Sequence, residues 1–151
     1  MNAFELPAVP GTYVLALQGL ENRRITVGRW GDLDLDTGYY VYVGSAFGNG
    51  GLRARVGRHG RRAKKLRWHV DYLREHCDLM AVWYCRDAVR REHQWAAALA
   101  GLDGYASVRG FGCSDCRCEA HLFHRDRRSD AESFARVAGG AVEIAGRLDP
   151  V

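Results

Sequence analysis

Two segments dense in β-forming residues constrain the fold of this chain most strongly. Residues 12–17 (TYVLAL) follow Gly11, and residues 39–43 (YYVYV) follow Gly38. Runs rich in valine and tyrosine that are bounded by turn residues are typical of strands. We therefore expect a β-sheet in which these two strands take part.

Two weaker patterns lie between these strands. Residues 24–27 follow a polar turn and predict a second strand. Residues 32–38 alternate aspartate with leucine and then reach a glycine, which faintly resembles a calcium loop. The closing glutamate of such a loop is missing, so an edge strand followed by a turn is the preferred interpretation.

The remainder of the chain alternates helices with strands. A glycine-rich loop at residues 47–51 comes first, and Leu66, Val70 and Leu73 then recur at helical spacing. Asp87 is predicted to cap a helix that ends at Gly101. The predicted elements are two helices, a strand, a helix, a strand and a last helix, at residues 52–59, 65–76, 78–85, 88–100, 120–123 and 129–137. The order predicts a single α/β layered domain with a small central mixed β-sheet flanked by helices.

Composition narrows the class of protein. A chain of 151 residues that is 47% hydrophobic and 26% charged is ordinary for one soluble domain. No apolar run approaches the roughly 18 residues that span a bilayer, and residues 1–7 lack the pattern of a secretory signal. Five cysteines, an odd number, favour reduced thiols or a metal site over a disulfide framework. We therefore expect a cytoplasmic protein with no membrane partner.

The net charge of +4 is concentrated in one window. Residues 53–74 contain nine arginines and lysines and a single acid, so this window carries +8 and the rest of the chain −4. Such a stripe is typical of a surface that binds a nucleic-acid backbone, although a solvated helix face is the alternative. The candidate nucleic-acid-binding residues are Arg53, Arg58, Arg61, Arg62, Lys64, Lys65, Arg67 and His69.

Two tripeptides are arranged as in a known family. Gly-Thr-Tyr at residues 11–13, Tyr-Val-Gly at residues 42–44, Arg55 in the following helix and Glu92 in a later one resemble the core of the GIY-YIG nucleases. Further stretches resemble a poorly characterised branch of that superfamily, a domain-of-unknown-function group from archaea and bacteria; they are WHVDYL at residues 68–73, GFGCSDCRC at 110–118 and HLF at 121–123. The resemblance implies a core at about residues 11–125, with a C-terminal extension at 126–151.

The resemblance also implies roles for individual residues. Tyr42 would activate the attacking water, and Tyr13 would shape the pocket and hydrogen-bond to the phosphate. Arg55 would clamp the scissile phosphate with its planar guanidinium. His59 lies four residues after Arg55, on the same helix face, and is a candidate acid–base group. The alternative for both tyrosines is ordinary strand packing with the hydroxyl at the surface.

Glu92 can be argued from the residues themselves. On a helix that begins at residue 88, Val89, Glu92, Ala96 and Leu99 share one stripe, so the carboxylate is expected among core residues. A buried carboxylate needs either a metal or an ion-pair partner, of which Arg55 is a candidate. A single carboxylate suits Mg²⁺ or Mn²⁺, because Mg²⁺ keeps most of its waters.

Two departures from the family pattern affect the expected chemistry. Ser45 follows the second tripeptide, where many members have lysine, and no asparagine occurs beyond Glu92. Protonation of the leaving group is therefore left to another residue, such as Ser45 or His59. His69 and Asp71 are two residues apart and would lie on different sides of a helix, so they are not expected to act as a dyad.

A cluster of metal-ligating residue types follows the predicted helix at residues 88–100. Cys113, Cys116, Cys118 and His121 are possible ligands of a structural Zn²⁺. The alternative is a loop of reduced cysteines whose Ser114 side chain and its acidic neighbour form turn hydrogen bonds.

Three functions are compatible with these features. A Mg²⁺-dependent endonuclease that hydrolyses DNA phosphodiester bonds is the leading hypothesis. A non-catalytic nucleic-acid-binding module of the same fold is the second. A zinc-stabilised interaction domain is the third.

Overall fold

The computed structural model describes residues 4–61, 65–113 and 117–146. Its strands, in chain order, are β1 Gly11–Gly19, β2 Arg23–Val27, β3 Gly31–Leu35, β4 Gly38–Ala46, β5 Cys77–Cys85, β6 Ala106–Ser107, β7 Leu122–Arg125 and β8 Glu143–Gly146. Its α-helices are α1 Gly51–Gly60, α2 His69–Arg74, α3 Glu92–Ala100 and α4 Ala131–Val137. None of the helices in these ranges is long and apolar enough to cross a membrane.

Six of the strands form one sheet in the order β6-β7-β4-β1-β5-β8. The predicted layered α/β domain is confirmed, but every pair of neighbouring strands is antiparallel rather than mixed. The strands β4 and β5 are parallel to each other, as expected for strands joined by a helical crossover. They are not neighbours in the sheet, because β1 lies between them and is antiparallel to both.

The strand predicted at residues 24–27 belongs outside this sheet. It pairs as β2 with the acidic strand β3 in a separate two-stranded hairpin. Ile25 and Val27 from β2, and Leu33 and Leu35 from β3, are buried and pack into the main core. The alternation of aspartate with leucine therefore reflects one exposed and one buried hairpin face.

The large sheet is covered on both faces because its side chains alternate. Leu15 on β1 packs with Val56 of α1 and Leu73 of α2 in one core. Val14 packs with Trp95 of α3 on the opposite face. This arrangement places α1 and α2 on one side of β1 and β4, and α3 on the other.

The helix α2 begins at His69, whereas the prediction began at residue 65. The Asp71 Oδ2 atom accepts hydrogen bonds from the backbone N–H groups of Arg67 and Trp68, at 2.8 and 2.9 Å. Trp68 is thereby held in extended backbone, with φ −111° and ψ 160°. An acid in the first turn that binds the preceding amides fixes where a helix starts.

The helix α3 begins at Glu92, whereas the prediction began at residue 88 with Asp87 as cap. The Asp87 carboxylate instead binds Arg91 Nε at 2.6 Å, and the Thr12 hydroxyl on β1 accepts the Arg91 backbone N–H at 3.1 Å. Val89 precedes the helix and is 61% exposed. The predicted stripe through Val89 and Glu92 is therefore wrong, and Glu92 occupies the first turn instead of a core position.

The other elements differ from their predictions only in part. The strand expected at residues 120–123 is β7, Leu122–Arg125, so that His121 precedes it. Neither β6 nor β8 was expected, since both are short and are held only by pairing with β7 and β5. The helix α4 is capped by Asp130, whose side chain accepts the Glu132 N–H at 2.9 Å.

Candidate active site

The glycine of the second tripeptide makes room for the tyrosine of the first. Tyr13 on β1 lies directly opposite Gly44 on β4. A Cβ atom at position 44 would overlap with the Tyr13 hydroxyl. Gly11 is equally confined, because a Cβ there would overlap with the Cys85 carbonyl oxygen. Both tripeptides are therefore packing requirements as well as a motif.

Tyr13 and His59 form a buried pair. The Tyr13 hydroxyl and His59 Nε2 are 2.7 Å apart, and both side chains are about 1% exposed. Burial raises the pKa of Tyr13 well above its ordinary value, although the nearby Arg55 guanidinium acts in the opposite direction. Tyr13 is therefore a neutral phenol at pH 7, hydrogen-bonded to an imidazole that can exchange a proton with it.

Tyr42 lies on the same face of the sheet and is half-buried. Its ring centroid is 6.4 Å from that of His59 and 6.3 Å from that of Phe111. Burial raises the pKa of Tyr42 well above its ordinary value, and the nearby Tyr13 and Glu92 raise it further. The chain by itself therefore keeps Tyr42 as a phenol, and a phenolate at this position requires additional positive charge.

Arg55 is held in place by two contacts. Its Nη1 atom donates to the Ser45 carbonyl oxygen at 3.1 Å, and its guanidinium carbon lies 4.6 Å from the centre of the Trp68 ring. Arg55 also lines a small cleft of about 130 Å³ beside the glycine-rich loop, together with Gly48 and Asn49. A planar, fixed guanidinium at the wall of a cleft is suited to binding a phosphate.

Trp68 was not predicted as a site residue, yet it organises three of the arginines. The guanidinium groups of Arg55, Arg58 and Arg67 lie 4.6, 4.2 and 5.7 Å from its ring centre. Such cation–π contacts stabilise positive charge against an aromatic face. The signal in the sequence that could have identified Trp68 is its position inside the basic window at residues 53–74.

Glu92 is an ionised carboxylate at the start of α3, with its side chain 27% exposed. Its Oε2 atom lies 3.1 Å from His121 Nδ1. Burial opposes its ionisation, but hydrogen bonds from His121 and Ser45 outweigh this and hold the pKa of Glu92 below its ordinary value. The first turn of a helix also favours an anion. The partner of this carboxylate is thus His121, and not Arg55 as one alternative proposed.

Ser45 links the two sides of the site. Its carbonyl oxygen accepts from Arg55, which lies on the α1 face of the sheet, and its hydroxyl contacts Glu92, which belongs to α3 on the other face. The negative charge of Glu92 also reaches both Tyr13 and Tyr42. The residues predicted to be catalytic therefore meet around the end of β4.

The predicted nucleic-acid-binding residues fall into different environments. Arg58 donates two hydrogen bonds to the fully buried Asp71 carboxylate, at 2.8 and 2.9 Å, and one to the Lys65 carbonyl oxygen. Arg53 donates to the Leu6 carbonyl oxygen at 2.9 Å. These two arginines hold the fold together, whatever else they bind.

Three of the other basic candidates have exposed side chains, and His69 does not. Arg61, Lys65 and Arg67 are exposed, whereas the predictions at residues 62 and 64 (Arg62 and Lys64) lie outside the described residues. His69 is half-buried and its Nδ1 accepts the Gly112 backbone N–H at 2.9 Å. Burial lowers the pKa of His69, so the ring is neutral at pH 7 and binds the neighbouring loop.

The cysteine cluster is rearranged relative to its prediction. The Cys113 Sγ atom contacts the Phe111 carbonyl oxygen, and Cys116 lies outside the described residues. Cys118 and His121 instead come together with His93, and one donor atom from each lies within 4.8 Å of the others. His93 was missed because α3 brings it to this place from a distant part of the sequence.

Comparison with known proteins identifies a matching family model. No curated protein and no solved structure matches the chain. Residues 12–143, which include both tyrosines, Arg55, Glu92 and the cysteine segment, match the model of the family described as Domain of unknown function DUF123. Because the match covers most of the 151 residues, the chain belongs to the DUF123 family.

Proposed function

We propose that this protein is a metal-dependent endonuclease that hydrolyses phosphodiester bonds in nucleic acid, with DNA as the expected substrate. The observation that carries the proposal is the meeting of a fixed guanidinium, two phenols, an imidazole and an ionised carboxylate at the end of β4. The resemblance of the two tripeptides, Arg55 and Glu92 to the GIY-YIG nucleases supplies the reaction class.

Arg55 is the group that binds the scissile phosphate. Its Nη1 is oriented by the Ser45 carbonyl oxygen and its plane by Trp68. A guanidinium that is already oriented does not have to reorganise when negative charge grows on the phosphate oxygens. Arg53 is two residues from Arg55 on α1 and therefore lies on a different side of the helix, where its Nε donates to the Leu6 carbonyl oxygen.

Glu92 fits the requirement for a Mg²⁺ or Mn²⁺ ligand. It is ionised, and more than a quarter of its side chain is exposed. Such a site leaves a Mg²⁺ ion its waters and the phosphate oxygens as further ligands. When bound, the cation would lower the pKa of a coordinated water and neutralise phosphate charge.

Tyr13 and His59 offer a path for the proton of the attacking water. The Tyr13 oxygen accepts the water proton while its own proton passes to His59 Nε2, 2.7 Å away. This exchange avoids an isolated phenolate, which burial strongly disfavours at both tyrosines. The resemblance assigns water activation to Tyr42 instead. That route requires positive charge to lower the pKa of Tyr42, whereas the Tyr13–His59 route does not.

The test is cleavage of single-stranded and duplex DNA in Mg²⁺ or Mn²⁺. We expect Glu92→Gln to reduce the rate by about 100-fold or more, as loss of a metal ligand or an acid–base group does. Glu132→Gln is the matched control, because Glu132 is an exposed glutamate in the first turn of α4. If neither substrate is cut by the wild type, or if Glu92→Gln cuts as fast, the proposal is wrong.

A second candidate, a nucleic-acid-binding module without turnover, is favoured by the raised pKa of both phenols. It predicts DNA binding that falls with added salt but no cleavage. Lys65→Gln should then lower the salt slope of binding by about one ion, whereas Arg136→Gln on α4 should not. Cleavage that depends on Glu92 would exclude this alternative.

A further inference from the structure

We propose that His93, Cys118 and His121 bind a zinc-type divalent metal, with Glu92 as the carboxylate that orients His121. This site goes beyond the proposed nuclease activity and does not depend on it. Imidazole and thiolate ligands select Zn²⁺ and similar ions, whereas Mg²⁺ prefers oxygen. The nitrogen and sulfur donors therefore distinguish this zinc site from the Mg²⁺ site, whose ligands would be the oxygens of Glu92 and of a phosphate.

The donors are already close to the required spacing. One ring nitrogen of each histidine and the Cys118 sulfur lie within 4.8 Å of one another. Zinc–nitrogen and zinc–sulfur bonds of about 2.0–2.3 Å in a tetrahedron place neighbouring ligand atoms about 3.3–3.6 Å apart. The remaining difference of about 1 Å can be closed by His93, because its side chain is exposed at the start of α3.

His121 is held as a ligating histidine usually is. Its side chain is 1% exposed, and its Nδ1 lies 3.1 Å from Glu92 Oε2 and 3.3 Å from the Val43 carbonyl oxygen. Both partners are acceptors, so the ring proton is on Nδ1 and the lone pair is on Nε2. A carboxylate that fixes the tautomer in this way is the usual outer partner of a zinc-bound imidazole.

The backbone adds to this preorganisation. The His121 N–H donates to the Phe111 carbonyl oxygen at 2.9 Å, and the His121 carbonyl oxygen accepts the Val43 N–H at 2.9 Å. His121 is therefore fixed to β4 before any metal binds. A metal between His121, Cys118 and His93 would tie the first turn of α3, which carries Glu92, to the segment that precedes β7.

Metal binding is measured directly, without nucleic acid. Purified protein is stripped with a chelator and titrated with Zn²⁺ against a chromophoric competitor, and then with Co²⁺ alone. We expect one equivalent of Zn²⁺, and for Co²⁺ a near-ultraviolet thiolate charge-transfer band with visible bands of a tetrahedral ion. Zn²⁺ should also raise the melting temperature of the wild type, because it binds the folded state.

The variants assign the ligands. Cys118→Ser and His93→Asn should each weaken Zn²⁺ binding at least tenfold, and Cys118→Ser should also remove the thiolate band. The matched controls Cys113→Ser and His76→Asn should bind as the wild type does. Glu92→Gln should weaken binding by about 10–100-fold and keep the thiolate band, as expected for a positioning residue.

Three results would overturn the proposal. The first is a wild type that binds no Zn²⁺ while its circular dichroism shows it folded. The second is unchanged affinity in both Cys118→Ser and His93→Asn, and the third is loss of binding in the Cys113→Ser control alone. Because none of these measurements involves DNA, failure of the zinc site and failure of the nuclease proposal are distinguishable.

Discussion

Replacing Asp71 by asparagine changes the charge of a fully buried side chain with almost no change in its shape. Its Oδ2 atom accepts three hydrogen bonds, from Arg58 Nη2 and from the backbone N–H groups of Arg67 and Trp68. Its Oδ1 atom accepts from Arg58 Nη1 at 2.8 Å. An asparagine can keep its oxygen at the Oδ2 position, but its amide N–H groups would then face the Arg58 donor.

The expected cost follows from this count. One charge-assisted hydrogen bond is lost, worth about 1.5–3 kcal/mol, and Arg58, whose side chain is 17% exposed, keeps its charge without a counterion. We therefore expect Asp71→Asn to lower the free energy of unfolding by about 2–4 kcal/mol at pH 7. Urea unfolding followed by tryptophan fluorescence would measure it, since Trp68 lies in this region.

The control is the same substitution in a surface ion pair. Asp34, 71% exposed, binds Arg24 at 2.8 Å, and Asp34→Asn should leave the free energy of unfolding almost unchanged. If the two variants lose equal stability, the Asp71 site is not the buried anchor described here.

The same pair predicts a pH dependence. Burial opposes ionisation of Asp71, but hydrogen bonds from Arg58, Trp68 and Arg67 outweigh it and hold its pKa below the ordinary value of 3.8. The stabilisation is therefore fully present above pH 3.8 and is lost as the pH falls through the lower pKa of the folded state. The difference between wild type and Asp71→Asn should stay constant from pH 7 to about pH 5 and shrink below about pH 4.

Three further outcomes are expected at the candidate site. Gly44→Ala should lower the free energy of unfolding by about 1–3 kcal/mol, because the added Cβ would overlap with the Tyr13 hydroxyl. The control Gly48→Ala should not, because a Cβ there meets nothing within 4 Å, and equal melting temperatures of the two variants would contradict this prediction. Tyr13→Phe should cost about 1–2 kcal/mol by removing the hydrogen bond to His59, and no loss in thermal unfolding would refute that bond. A carbon-detected NMR titration should find the titration midpoint of the Glu92 carboxyl below the ordinary value of 4.5. A higher midpoint would contradict the hydrogen-bonded, ionised state described for this group.

Much of the architecture was predictable because it is decided locally. The strand β1 (Gly11–Gly19) and the strand β4 (Gly38–Ala46) were expected within a few residues, since runs of valine and tyrosine end at glycines in both. The glycine-rich loop before α1 was equally clear. The start of α3 was not, because the hydroxyl that accepts the Arg91 N–H belongs to Thr12, on a strand far away in the sequence.

The candidate site shows the same division between local and long-range features. The sequence by itself determined which residue types are present, including the two tyrosines, Arg55 and Glu92, and it determined the concentration of charge in residues 53–74. Only the tertiary structure decided that Arg58 is bound to the buried Asp71, that Arg55 is bound to the Ser45 carbonyl oxygen, and that both arginines line one cleft.

The contacts that give the site its chemistry all join distant residues. Tyr13 meets His59 across 46 positions, Glu92 pairs with His121 from another element, and His93 joins Cys118 only because α3 packs on that face. Local propensities extend over a few residues and carry no information about such pairs. Strand register and the packing of helices on the two faces of the sheet bring these groups within bonding distance, so the site is a property of the folded chain.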